Sequence, residues 1–275
     1  MKKHGTIFEK ALLVIFVLTV LFLNLLPFAL MLFTSFKAEV EITSAASAFF
    51  PENWTLDNYR HLASIFNVWG HLLNSLLFAG GVTLISLVLN ALAAYAFACI
   101  EFPGREKLFS LLLLTMFVPS QVTLIPTFLI LKYLGLLNTL VGLILPGSAS
   151  VVGIFLLRQF MKELPMEILD QAEIDGCSDF QKFFRIILPL SKPSLMTLAV
   201  FTFVGCWNEF LGPLVVMLKE SGYPIPVALA TLRGTHQTEW GMLMAGAVMT
   251  MLPSIVVFLL AQRYYLEGIT RGAVR

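Results

Sequence analysis

Residues 161–193 read Met161-Lys-Glu-Leu-Pro-Met-Glu-Ile-Leu-Asp170-Gln-Ala-Glu-Ile-Asp-Gly-Cys-Ser-Asp-Phe180-Gln-Lys-Phe-Phe-Arg-Ile-Ile-Leu-Pro-Leu190-Ser-Lys-Pro193, a charged stretch between two apolar runs, 139–160 and 194–217. Each run is long enough to cross a bilayer, which takes about 20 mostly apolar residues. The stretch between them is therefore a loop outside the membrane. Pro165 suits the first turn of a helix and Glu167 its positive N-terminal end. The turn pair Asp175-Gly176 should stop that helix. Ser178 and Gln181 then form an S-x-x-Q capping box. Phe180, Phe183, Phe184 and Ile187 follow at i, i+3, i+4 and i+7, one apolar face of a second helix that Pro189 should end. Such a hairpin either docks onto another protein or lies on the headgroups, since a helix with one apolar face serves both.

On either side of it, four more apolar runs reach spanning length: about 11–33, 72–99, 108–130 and 243–264. Composition agrees. Of 275 residues 58% are hydrophobic and 13% charged, and mean hydropathy is +0.85. A soluble domain carries roughly 25% charged residues. The expected fold is an all-α membrane protein with six transmembrane helices in a single transmembrane domain, 1–275. The run at 11–33 exceeds a signal-peptide core of about 7–15 residues and reads as an uncleaved anchor. With the N-terminus inside, Lys2, Lys3, Lys10, Arg105, Lys107, Arg158, Lys162 and the basic residues of 182–192 and 263–275 face the cytoplasm, 13 of the 18 Lys and Arg. This positive-inside bias makes both termini cytoplasmic.

The chemistry the chain lacks is equally informative. Net charge is +1, which offers no basic footprint for nucleic acid. Cys99, Cys177 and Cys206 make neither a disulfide framework nor a zinc site. His4, His61, His71 and His236 have no metal-ligand spacing. No G-x-x-x-x-G-K-[ST] stretch occurs, so the chain has no P-loop to cradle ATP. No nucleophile–base pair is visible, and the chain reads as a non-enzyme without cofactors.

The segment Asp170-Gln171-Ala172-Glu173-Ile174-Asp175-Gly176, with Phe183, Ile186 and Leu188-Pro189-Leu190, resembles the cytoplasmic "EAA" loop of bacterial ABC-importer permeases. Asp170 stands where that motif has Glu, and Gln171 replaces its first Ala. Over most of its length the chain is similar to carbohydrate-importer permeases of the maltose-transporter MalG type. The likeness is carried by Thr34-Ser35-Phe36-Lys37, Ala94-Tyr95-Ala96-Phe97, Leu134-Gly135-Leu136, Trp207-Asn208-Glu209-Phe210 and Gly272-Ala273-Val274-Arg275, among others. The resemblance implies the transmembrane subunit of an ATP-driven importer in the bacterial cytoplasmic membrane. Its partners would be a second permease, two ATP-binding subunits that hold ATP and Mg, an extracytoplasmic solute-binding protein and a sugar. It places ATPase coupling on Asp170, Gln171, Ala172, Asp175, Gly176, Phe183, Leu188 and Pro189, and suggests that the last residues reach toward the ATPases.

Polar groups inside spans are costly and face a cavity or bundle interior. Asn90, Gln121, Asn208 and Glu209 are therefore candidates for a translocation path. Glu209 lies about 22 Å above the inner end of its span at 1.5 Å per residue; it is either a path residue or a structural carboxylate at the break Gly212-Pro213. Pro119 and Pro126 mark a broken third helix whose freed carbonyls can line a cavity. An ion-coupled secondary transporter would need midplane carboxylates or histidines, and only Glu209 comes near. A scaffold without transport has only the hairpin in its favour. In the first outer loop Leu56, Tyr59, Leu62 and Phe66 could stripe a helix lying on the membrane. The outer loop 218–242, with Gly222-Tyr223-Pro224-Ile225-Pro226, is too long for a plain hairpin. The resemblance suggests that it meets the binding protein.

Overall fold

The computed structural model describes residues 7–44, 48–165, 167–235 and 239–273. Lys2, Lys3, His4, His236, Val274 and Arg275 lie outside the described residues. The chain begins with α1 (Ile7–Ser35), α2 (Glu39–Thr43), α3 (Asp57–Ile65) and α4 (Val68–Cys99). Then come α5 (Arg105–Leu114), α6 (Ser120–Tyr133), α7 (Leu140–Ile144), α8 (Val151–Lys162), α9 (Glu167–Ile174) and α10 (Asp179–Lys182). α10 runs through a π turn, Phe183–Ile187, into a last helical turn, Leu188–Leu190. α11 (Lys192–Trp207), α12 (Leu211–Val216), α13 (Ile225–Thr235) and α14 (Trp240–Ala273) complete it. No strand occurs among the described residues.

Three helical stretches can cross a membrane alone: Phe8–Ser35, Val68–Cys99 and Trp240–Leu260. The number rises to six if each of three bent helix pairs counts as one span. The expected span 108–130 is such a pair, bent by 99° between Phe117 and Ser120. Pro119 explains the break: a residue before proline is pushed out of the helical region, and Val118 has φ −82°, ψ 115°. Pro126, expected to share in the break, instead lies inside α6. The span 139–160 bends by 48° between α7 and α8. The span 194–217 is not one helix either: α11 ends at Trp207 and α12 is a separate short helix.

The chain forms two compact units, residues 1–68 with 229–252, and 69–228 with 253–275. In the first unit α1 is exposed along nearly its whole apolar length. Its polar side chains turn back on the helix, Thr19 Oγ1 donating to the Ile15 carbonyl (2.9 Å) and Asn24 Nδ2 to that of Val20 (2.7 Å). This satisfies them without water. At the end of α1, Ser35 is fully buried, Oγ sharing a hydrogen bond with the Tyr59 hydroxyl (2.8 Å). Asn58 Nδ2 donates to the carbonyls of Ser35 (2.9 Å) and Lys37 (2.7 Å). The expected α3 stripe divides: Leu62 is fully buried and Phe66 nearly so, Tyr59 is half-buried and Leu56 is exposed, so its later part packs on protein. Glu39 accepts from the backbone N–H groups of Trp240 and Gly241, both at 3.0 Å, and so caps α14.

The second unit has an inner core of Ala91, Ala94, Tyr95, Phe109, Leu157, Met161, Leu169, Phe183, Ile187 and Leu198. Alanines on α4 share this core with residues of α8 and the 161–193 hairpin. A smaller cluster toward the other end gathers Phe78, Val82, Leu131, Leu143, Val216 and Met217. Arg158 is buried in the inner part: Nε donates to the Phe97 carbonyl (3.0 Å), an NH2 group to Glu106 (2.6 Å), and its carbon lies 3.8 Å above the Phe109 ring. The segment expected as an outer loop is folded here. Pro224, Ile225, Val227 and Ala228 are buried, the Ile225 N–H donates to Ser75 Oγ (2.8 Å), and Asn74 Nδ2 donates to the Ser221 carbonyl (2.8 Å).

Candidate functional site

Two features of the second unit carry the expected functional residues. The first is the hairpin. α9 ends in two reverse-turn bonds, Gly176 N–H to the Glu173 carbonyl (2.9 Å) and Cys177 N–H to that of Ala172 (2.9 Å), with Gly176 at φ +82°. This is the pattern by which glycine closes a helix. The capping box is present, Ser178 Oγ accepting from the Gln181 N–H (3.4 Å) and Gln181 Oε1 from the Ser178 N–H (2.9 Å). Lys182 Nζ bridges Glu173 (2.7 Å) and Asp179 (3.4 Å), although only 9% of its side chain is exposed. The hydrogen bond from Lys182 holds the Glu173 carboxyl below its usual range. The Tyr95 hydroxyl donates to the Asp179 carbonyl (3.3 Å), and the Tyr95 and Phe183 rings lie 5.3 Å apart.

The eight expected coupling residues divide. Ala172 and Phe183 are buried in the chain's own core and Leu188 partly so. Asp170, Gln171, Asp175, Gly176 and Pro189 are exposed. The single apolar face of the second helix is also divided, Phe183 and Ile187 inside, Phe180 and Phe184 72% and 54% exposed. Phe180 and Phe184 are four residues apart, as are Phe183 and Ile187, so each pair follows its own edge of the helix, one toward the core and one away from it. Pro189, expected to end this helix, lies in its last turn just after the π turn Phe183–Ile187, and the helix stops one residue later. A proline ring clashes with the carbonyl four residues back in a regular helix, but the widened turn before it accommodates the ring, and helix continues to Leu190.

The second feature is a cavity of about 440 Å³ at the breaks between α5 and α6 and between α11 and α12. Gln121 and Glu209, two of the expected path residues, line it together with Ser120, Thr123, Thr127 and Cys206. Glu209 Oε1 accepts from the Gly212 N–H (3.2 Å), so the structural role at the break is real and coexists with exposure to the cavity. Asn208 turns back on α11, Nδ2 donating to the Val204 carbonyl (2.8 Å), and does not line the cavity. Asn90 does not line it either. It is fully buried, donates to Ser86 Oγ (2.7 Å) and accepts from the Ser150 N–H (3.0 Å), bracing the start of α8.

The family model for binding-protein-dependent transport system inner membrane components matches residues 90–267, which include the whole hairpin and nearly all of the cavity lining. The chain belongs to this family. Curated relatives agree. An arabinooligosaccharides transport system permease protein, AraQ, of Halalkalibacterium halodurans is 33% identical over 259 residues, 92% of each chain. The AraQ of Bacillus subtilis is 35% identical over 82% of this chain and 80% of its own. The sn-glycerol-3-phosphate transport system permease protein UgpE of Yersinia pestis is 37% identical over 72% of this chain and 71% of its own. A chain in the crystal structure of a bacterial ABC transporter involved in import of the acidic polysaccharide alginate has a TM-score of 0.84. It covers 96% of this chain and 100% of its own at 20% identity, a likeness of fold.

In this permease, sequence reasoning missed Ile174, 86% exposed at the hairpin tip, and Thr127 and Cys206 in the cavity. Thr127 had a signal: Ser120, Thr123 and Thr127 recur at i, i+3 and i+7, a polar stripe along an otherwise apolar helix. Ile174 and Cys206 had none, because their surroundings depend on chain breaks elsewhere.

Proposed function

We propose that the chain is the membrane-spanning, non-catalytic subunit of an ATP-driven importer of a carbohydrate. It crosses the bacterial cytoplasmic membrane six times with both termini inside, the bent pairs α5–α6 and α7–α8 each serving as one span and α11 with α12 as another, while the hairpin 161–193 stays outside the bilayer. It pairs with a second permease and two ATP-binding subunits that hold ATP and Mg, and receives sugar from an external solute-binding protein. Carbohydrate is favoured by the arabinooligosaccharide relatives, which match over 92% and 82% of this chain.

The observation that carries energy coupling is the hairpin's outer side. Ile174, Phe180 and Phe184 project from a loop whose inner side is locked by Phe183, Ile187 and the Glu173–Lys182 pair. Exposed apolar side chains on a rigid mount are what a helix-in-groove contact needs. Movement of the ATPases would pass through this contact into α11, which follows after a 76° bend, and so into the cavity walls. The test is Phe180→Asp, which puts a charge into the apolar contact. In the reconstituted complex it should abolish stimulation of ATP hydrolysis by loaded binding protein; unaltered stimulation would remove the hairpin from the mechanism.

A further inference from the structure

We propose that the Glu209 carboxylate makes the cavity selective by charge: it takes uncharged polyhydroxyl segments and turns anionic ones away. The proposal rests on the reading of the chain as a carbohydrate permease and narrows the substrate class. Its basis is the inventory of the walls. Among the described residues that line the cavity, Glu209 is the only carboxylate and there is no Lys, Arg or His. One oxygen of Glu209 is held by the Gly212 N–H at 3.2 Å, which fixes the carboxylate at the helix break. The other oxygen has no hydrogen-bond partner among the described residues.

An uncharged sugar suits this arrangement. A hydroxyl can donate to the free oxygen as a charge-assisted hydrogen bond, and Ser120, Gln121, Thr123 and Thr127 supply further donors and acceptors. At about 440 Å³ the cavity falls in the range of roughly 300–1,000 Å³ typical of small-molecule sites. A uronate or phosphate group would meet the like charge of Glu209 and would find no cation to pair with among the described lining residues.

Cys206, on the same wall three residues before Glu209, is a native reporter of the local field. In membrane vesicles carrying the whole complex, its modification by cationic trimethylammonium-ethyl and anionic sulfonatoethyl methanethiosulfonates is followed by mass spectrometry of the Cys206 peptide. Each rate is divided by that of the same reagent with 2-mercaptoethanol. The wild type should favour the cation by about tenfold, the equivalent of 1.4 kcal/mol, and Glu209→Gln should bring the ratio close to one. A wild-type ratio near one, or a high ratio that survives in Glu209→Gln, overturns the proposal. If Cys206 reacts with neither reagent, the same comparison is made on Thr127→Cys, and silence there too overturns it, because the cavity would then be closed to solutes. Failure of the wild-type complex to take up any carbohydrate would overturn the carbohydrate reading alone, since the thiol ratio does not depend on what is transported.

Discussion

Glu173 Oε2 lies 2.7 Å from Lys182 Nζ, and this pair joins the two helices of the 161–193 hairpin across the turn at Gly176. The ammonium is nearly buried while the carboxylate is 73% exposed, so Glu173 is the member that titrates within reach of solvent. Its carboxyl is held below the ordinary value of 4.5. A depressed folded-state value means that the pair's stabilisation is fully present above about pH 4.5 and is lost as pH falls through the lowered value. Amide exchange of residues 177–182, corrected for the intrinsic pH dependence, should accelerate on acidification below that point. Glu173→Gln should exchange fast at all pH values and lose the transition.

Gly176→Val should uncouple the hairpin without crowding it. A β-carbon there meets nothing within 4 Å, so volume is not the obstacle. The obstacle is φ +82°, which costs an L-residue roughly 1–2 kcal/mol and a β-branched one more. Substrate-stimulated ATP hydrolysis should fall sharply in Gly176→Val, while Gly176→Asn, which tolerates the left-handed region, should retain most of it. Equal loss in both would show that the turn conformation is not what matters.

Asn90 and Gly153 should behave as a coupled pair. A β-carbon on Gly153 would lie 2.5 Å from Asn90 Nδ2 and 3.0 Å from Leu198 Cδ1. Gly153→Ala should therefore lower stability in detergent by about 1–3 kcal/mol, the usual cost of overpacking. Asn90→Ala should cost about the same by leaving the Ser150 N–H unpaired. The double variant should be less destabilised than the sum, because Asn90→Ala removes the atom with which the β-carbon of Gly153→Ala collides. Strict additivity in thermal unfolding would contradict this packing.

Ser75→Ala should loosen the segment that follows α12. It leaves the buried Ile225 N–H without its 2.8 Å acceptor, a loss of about 1–3 kcal/mol. Proteolysis between residues 219 and 236 should become faster than in the wild type. Replacement of 219–236 by a Gly-Ser linker should then impair folding as well as transport, since it discards Ile225, Val227 and Ala228 from the interior. A well-folded, stable linker variant would count against the packing of this segment.

Much of the hairpin was legible beforehand because its determinants are local. The capping box needs only Ser178 and Gln181 within one turn, and the glycine turn needs only Gly176. The division of its phenylalanines was not legible. Helical periodicity places Phe180, Phe183, Phe184 and Ile187 on one broad face, and packing of Phe183 and Ile187 into the core around Tyr95 decides which edge of that face is covered. The same limit applies to the polar residues of the spans. Asn90 and Gln121 look alike in sequence, yet one braces α8 and the other borders the cavity.

Residue order was enough to put this chain in a membrane, to locate its apolar runs, to pick out the amphipathic loop and to bring out the family it resembles. Those properties are sums over neighbouring residues: transfer free energy over about 20 positions, caps and turns over about four. The break at Pro119 was local as well; which polar side chains satisfy one another and where a cavity opens were settled by the three-dimensional packing. Each of these depends on groups far apart in the chain, such as Ser150 reaching Asn90 or Ile225 reaching Ser75. A buried polar atom must find a partner wherever one is available, and sequence order carries no record of that distance.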